Sequence, residues 1–138
     1  MSDANKAVVR RWFDEGLNEK RLEVINELFA GGYVWHGPGE VIINGQAGLR
    51  EMVQSYLTAF PDLRLTVEHQ VAEGEYVVTK VTGRGTHNGP FGEIAPTGKA
   101  VAVTSIQISR LEAGKIVEDW QQFDELGMMR QIGAVPPA

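Results

Sequence analysis

Asp124 ends a strand-like run, GKIVEDWQQFDELG over residues 114–127, and stands directly before an apolar helix start. A carboxylate in that place has two uses. It can accept hydrogen bonds from the first N–H groups of the helix, which Gly133 would then close. It can also serve as a general base, if Trp120, Phe123, Leu126 and Met128 shield it from water and so raise its pKa toward neutrality. Counting by twos from Ile116 puts Glu118, Trp120, Gln122 and Asp124 on one strand face. An aromatic wall beside polar groups suits a flat ligand, although a core Trp beside a solvated strand end reads the same way. Gln107 interrupts the apolar run between Ile106 and Ile108. Pointing inward it would bond a substrate carbonyl; pointing outward it is surface.

The three histidines differ in setting. His69 takes a place in an apolar alternation where another Val is expected, which predicts a half-buried ring on the core side. His36 follows the aromatic run Tyr33-Val34-Trp35 and precedes a Gly-Pro-Gly turn, and His87 lies at a strand end before the turn pair Asn88-Gly89. No His-x-x-x-His or related spacing occurs, so no metal site is expected. GRGTHNG lacks the Lys-Ser/Thr of a phosphate loop, and there is no Gly-x-Ser-x-Gly elbow. The basic pairs Arg10-Arg11 and Lys20-Arg21 read as solvated helix surface.

Elements to hold these groups follow from periodicity. A first helix capped by Ser2 or Asp3 carries Val8, Val9, Trp12, Phe13 and Leu17 on one face. A second, starting at Asn18, carries Leu22, Ile25, Leu28 and Phe29 and stops at Gly31-Gly32. The third, Leu49 to Phe60, has the full i, i+3, i+4, i+7 pattern and ends at Pro61. The period then changes to two. Strands are predicted over Leu63–Val71, Tyr76–Thr86, Ala100–Leu111 and Ile116–Phe123, joined by a turn at Glu73-Gly74, the loop HNGPFGEIAPTG and the turn EAGK. Short connections make neighbouring strands antiparallel, and the tail AVPPA is expected to fray. Helices followed by such strands predict an α+β domain whose curved sheet and helices enclose a ligand pocket.

Composition narrows the class. The 138 residues fit a single domain spanning 1–138, with 43% hydrophobic and 22% charged residues. A net charge of -5 argues against nucleic acid as a partner. The absence of cysteine removes disulfides and thiolate chemistry and suits a cytoplasmic protein. MSDANKAVVRRWF is no secretory signal, and no stretch approaches the ~20 apolar residues of a membrane span.

Four segments, YVWHGPG, AFPDLRLTVE, GRGTHNGPFGEIAPTGK and GKIVEDWQQFDELGMMRQIG, occur in an order and spacing that resembles the SnoaL-like polyketide cyclases, of the nuclear-transport-factor-like superfamily. The resemblance covers nearly the whole chain. It implies a cone-shaped α+β barrel, three N-terminal helices packed on a curved, mostly antiparallel sheet enclosing a pocket. It also implies a homodimer, for which Val117 and Phe123 offer apolar groups on the outer sheet face. In such cyclases one Asp does acid–base work in an intramolecular aldol closure without metal or cofactor, and its place in W-x-x-x-D-x-x-G matches Asp124. Many relatives carry His where this chain has Asp119, so any role of that His is absent. The resemblance places His36 near the cavity rim as Asp124's catalytic neighbour. Trp12, Tyr33, His69, His87, Gln107, Trp120 and Gln122 complete the candidate set as binding residues. The expected function is proton transfer on a small hydrophobic carbonyl compound in a cavity of roughly a few hundred Å³. The alternative is a non-catalytic module binding a similar ligand, since this fold hosts both. A purely structural dimerisation domain would instead fill the cavity with side chains.

Overall fold

The structure, a computed structural model, describes residues 2–136. Helix α1, Ser2–Arg11, runs directly into a π-helical turn, Trp12–Asn18. The wider turn brings Trp12 and Phe13 inward together and seats the Trp12 ring on Gly16, where a Cβ would come within 2.2 Å of it. Asn18 starts no helix. Its side chain accepts from the Leu65 N–H at 2.6 Å and donates to the Leu65 carbonyl at 2.8 Å, tying the turn to the sheet.

The second helix is shorter than its periodicity predicts. A 3₁₀ turn at Leu22–Val24 leads to α2, Ile25–Leu28, and Phe29 already begins strand β1, Phe29–His36. Gly31 and Gly32 therefore lie within a strand instead of stopping a helix. They occupy its irregular part, between the register positions of Phe29 and Val34. Apolar spacing there fits either structure, and pairing with a strand some 80 residues away decides it. A short β2, Ile42–Asn44, and helix α3, Gly45–Ala59, follow. Leu49, Val53 and Leu57 bury one stripe of α3, each contributing roughly 1.5–3 kcal/mol.

Strands β3 (Arg64–Glu73), β4 (Tyr76–Thr86), β5 (Ala100–Glu112) and β6 (Lys115–Phe123) complete one six-stranded sheet, in the order β2-β1-β6-β5-β4-β3. Pairing is antiparallel except between β1 and β6, which run parallel, and the sheet stays open at β2 and β3 instead of closing as a barrel. The β5–β6 hairpin turns on Ala113 and Gly114, with φ of 50° and 78°, the left-handed pair that a two-residue hairpin requires. Helix α4, Glu125–Gln131, packs on β5, and Gly133 past its end has φ 83°. The segment expected to fray is in part tied down, because the Ala134 N–H bonds the Met129 carbonyl at 2.8 Å. Residues 137–138 of that expectation lie outside the described residues.

Two β-bulges decide which side chains face the helices. In β6, Ile116 pairs with Leu111 and Glu118 with Arg110, leaving Val117 as an extra residue. In β3, Val67 pairs with Val81 and His69 with Lys80, leaving Glu68 extra. Beyond each bulge the alternation inverts.

Candidate active site

The π turn Trp12–Asn18, helix α3 and the sheet enclose a cavity of about 150 Å³. It is smaller than expected, and comparable to an apolar cavity that holds benzene. Its walls are aromatic and aliphatic: Trp12 and Phe13 from the π turn, Met52 and Tyr56 from α3, and Phe123 and Met128 at one end. Its polar groups come from inward positions of β5 and β6, namely Ser105, Gln107, Asp119 and Gln121, with Tyr33 from β1.

Asp119 is the one carboxylate among the described residues lining the cavity, and it is 1% exposed. The Tyr33 hydroxyl donates to its Oδ2 at 2.5 Å, while Oδ1 has no hydrogen-bond partner among the described residues. Burial pushes the Asp119 carboxyl up from 3.8 to about 6. Ser109, Tyr33 and Gln107 oppose that rise, and the Glu118 charge adds to it. Among the described residues Tyr33 is the side chain that closes a bond on the carboxylate, and Gln107 Nε2 turns to Ser109 Oγ at a long 3.4 Å. Burial and the Asp119 charge hold the Tyr33 phenol well above its ordinary 10, which keeps it a donor. Burial likewise pushes Tyr56 up to about 12, with the Glu125 charge adding to it. Beyond Asp119, Trp35 Nε1 donates to Gln121 Oε1 at 3.0 Å and Gln121 Nε2 donates to Ser105 Oγ at 2.9 Å.

Of the residues singled out in the sequence, Trp12, Tyr33 and Gln107 line the cavity. The others lie elsewhere. Asp124 is exposed and caps α4, accepting from the Gly127 N–H at 3.0 Å. Trp120 and Gln122 face outward because the Val117 bulge shifts β6 by one, so Asp119, Gln121 and Phe123 take the inner face. Phe123 is thus a cavity residue and not an outer-face group. His36 lies on the outer face too, its Nε2 2.7 Å from Glu118 Oε2 and its ring stacked on Trp120 at 5.3 Å. It is not beside Asp124 at the rim. His69, expected on the core side, is exposed because the Glu68 bulge turns Gln70 inward in its place. His87 is fully buried, but in a second cluster. Its Nδ1 accepts the Thr97 N–H at 3.2 Å and its ring packs on Phe60, pinning the loop 87–98. Its Nε2 has no partner among the described residues.

Sequence reasoning passed over Asp119, Gln121 and Ser105 as site residues. A polar side chain at every second position of β5 and β6 was visible, but the parity was set by the bulge. No group of three metal-ligating side chains occurs among the described residues, and no helix there is long and apolar enough to cross a membrane.

A family model described as SnoaL-like polyketide cyclase matches residues 7–132. Among solved structures, one described as a SnoaL-like polyketide cyclase from Jannaschia sp. CCS1 is similar with a TM-score of 0.90 and 27% identity, over 98% of this chain and 95% of that one. IdmH from Streptomyces antibioticus, described as a polyketide cyclase, has a TM-score of 0.83 and 30% identity, over 94% of this chain and 98% of its own. AclR from Streptomyces galilaeus, described as a hydroxylase, has a TM-score of 0.89 and 25% identity, over 100% and 86%. No curated protein matches the chain.

Proposed function

The chain belongs to the SnoaL-like polyketide cyclase family, and on that premise we propose that it catalyses proton transfer on a small hydrophobic carbonyl compound, with Asp119 as the acid–base group. One observation carries the reading. A carboxylate 1% exposed and pushed up by burial to about 6 lines an apolar cavity, and its Oδ1 has no hydrogen-bond partner among the described residues. Ionised, Oδ1 removes a proton from the carbon α to a carbonyl, giving an enolate and a protonated Asp119. In an aldol closure the α-carbon then attacks a second carbonyl carbon of the same molecule, and the alkoxide formed takes the proton back from Asp119. The step draws on no cofactor, provided the substrate already delocalises the carbanion, as a β-dicarbonyl does. Tyr33 occupies Oδ2, which leaves Oδ1 as the oxygen that takes the proton.

The cavity favours a substrate about one ring in size. A net charge of -5 supports a neutral hydrophobic ligand over a nucleic acid, and the lack of cysteine supports a cytoplasmic setting. Asp124 enters this reading as the cap of α4, whose Met128 forms part of the cavity wall. We place a homodimer contact on the outer sheet face, where Ile106, Ile108 and Tyr76 are 51%, 38% and 45% exposed and border the His36–Trp120 stack. Light scattering on Ile106→Glu is expected to give a monomer where the parent gives a dimer, and a monomeric parent at micromolar concentration removes the contact.

Deuterium exchange at the acidic carbon of a β-dicarbonyl probe tests the catalytic reading. The parent should accelerate exchange, Asp119→Asn should abolish it, and Asp124→Asn should preserve it. Exchange lost in Asp124→Asn with the fold intact restores Asp124 as the base. A parent that binds the probe without exchanging it leaves a non-catalytic binding module.

A further inference from the structure

The polar side of the cavity contains a hydrogen-bond relay whose direction is fixed by chemistry. An indole N–H only donates, so the Gln121 atom 3.0 Å from Trp35 Nε1 must be its carbonyl oxygen. The amide nitrogen then faces Ser105, and Ser105 Oγ, 2.9 Å away, must accept. The Ser105 hydroxyl hydrogen is left over, and no acceptor for it exists among the described residues although the side chain lines the cavity and is 7% exposed. We infer that Ser105 is the donor that receives a carbonyl oxygen of the ligand, with Gln121 and Trp35 as positioning residues that hold its proton toward the cavity.

The placement adds geometry. Ser105 pairs with Phe123, and Asp119 pairs with Ser109 four residues further along β5. At ~3.4 Å per residue the two groups lie roughly 13 Å apart along the strands, with Gln107 and Gln121 between them. A ligand of about one ring that gives its carbonyl oxygen to Ser105 therefore sits toward the Phe123 end of the cavity, with Gln107 and Gln121 between it and Asp119. The ligand's other face rests on the aromatic wall. This rests on the reading of the cavity as a ligand site, and its test separates the two.

The probes are acetophenone and ethylbenzene, alike in shape but differing in the carbonyl, titrated by calorimetry at pH 8, where Asp119 is ionised and cannot donate. The parent should prefer the ketone by about 2- to 10-fold, the worth of one net hydrogen bond. The carbonyl stretch of the bound ketone should shift to lower frequency. Ser105→Ala should lose both the preference and the shift, and Ser105→Thr, which keeps the hydroxyl, should retain them. Gln121→Glu should lose them with Ser105 still present, because a carboxylate accepts from both Trp35 and Ser105 and turns the serine proton away from the cavity. Equal binding of the two probes to the parent, or a preference surviving in Ser105→Ala, overturns the role of Ser105 and leaves the cavity a ligand site. Failure of both probes to bind the parent overturns the ligand site itself.

Discussion

Replacing Asp119 with Asn should make the protein more stable at neutral pH while removing its proton transfer. Burial raises the Asp119 carboxyl from 3.8 to about 6, so the folded protein binds this proton more tightly than the unfolded chain does. The associated stability is fully present below about pH 4, is lost as pH rises through about 6, and stays lost above it. A shift of about 2 units at 1.36 kcal/mol each comes to about 3 kcal/mol at pH 8, with no discount for solvent at a group this buried. Asn retains an oxygen to accept from Tyr33, and its unpaired amide stands in for the unpaired hydroxyl of the protonated acid, so the expected gain at pH 8 stays at about 3 kcal/mol. With a urea dependence of ~1–3 kcal/mol per molar, the unfolding midpoint at pH 8 should rise by about 1–3 M. At pH 3 the two proteins should unfold at similar urea concentrations. The comparison must be parent against variant, because hydrogen bonds and ion pairs hold Glu15, Asp62 and Glu68 low and lend stability of the opposite sign, lost on acidification. If the midpoint difference between Asp119→Asn and the parent is the same at pH 3 and pH 8, the raised carboxyl and the base built on it are both wrong.

Tyr33→Phe removes the donor to Asp119 Oδ2, so the inflection in the pH–rate profile for probe exchange should move above about 6 while the plateau falls; an unmoved inflection counts against the pairing. Asp124→Ala should cost about 0.5–2 kcal/mol of stability and Asp124→Asn almost none, read by thermal unfolding, since both Asp and Asn cap a helix. Gly89→Ala should cost about 1–3 kcal/mol and raise proteolysis of the loop 87–98, because a Cβ there would lie 1.8 Å from the Thr58 carbonyl oxygen; resistance equal to the parent's refutes that packing. Asn18→Ala should lose about 1–3 kcal/mol through its two bonds to Leu65, seen as faster amide exchange at that residue.

Where local pattern decides structure, the sequence was readable. Strand β4 lies where its alternation predicts, Tyr76–Thr86, and β5 and β6 differ from expectation by one residue at an end. Helix α3 has the predicted stripe and stops before Pro61. The strand at Phe29–His36 was not readable, because its apolar spacing fits a helix and its partner, β6, is parallel and far away in the chain. The site was misplaced for a similar reason. Period-two counting from Ile116 is sound for an unbroken strand, and one unpaired residue, Val117, exchanges the two faces. Asp119 thereby becomes the cavity carboxylate, while the more conspicuous Asp124 is left to the helix cap.

The Val117 bulge also separates the numbering of β6 from its facing. Deleting this residue would leave Ile116 opposite Leu111, Glu118 opposite Arg110 and Asp119 opposite Ser109, so the ladder becomes regular while Asp119, Gln121 and Phe123 keep the cavity side. Length variation at this position of β6 thus shifts the sequence spacing of the lining residues while the same side chains keep facing the ligand. A sequence comparison that slides past a one-residue gap there would pair inward with outward side chains, and would transfer roles between residues that never share a surface.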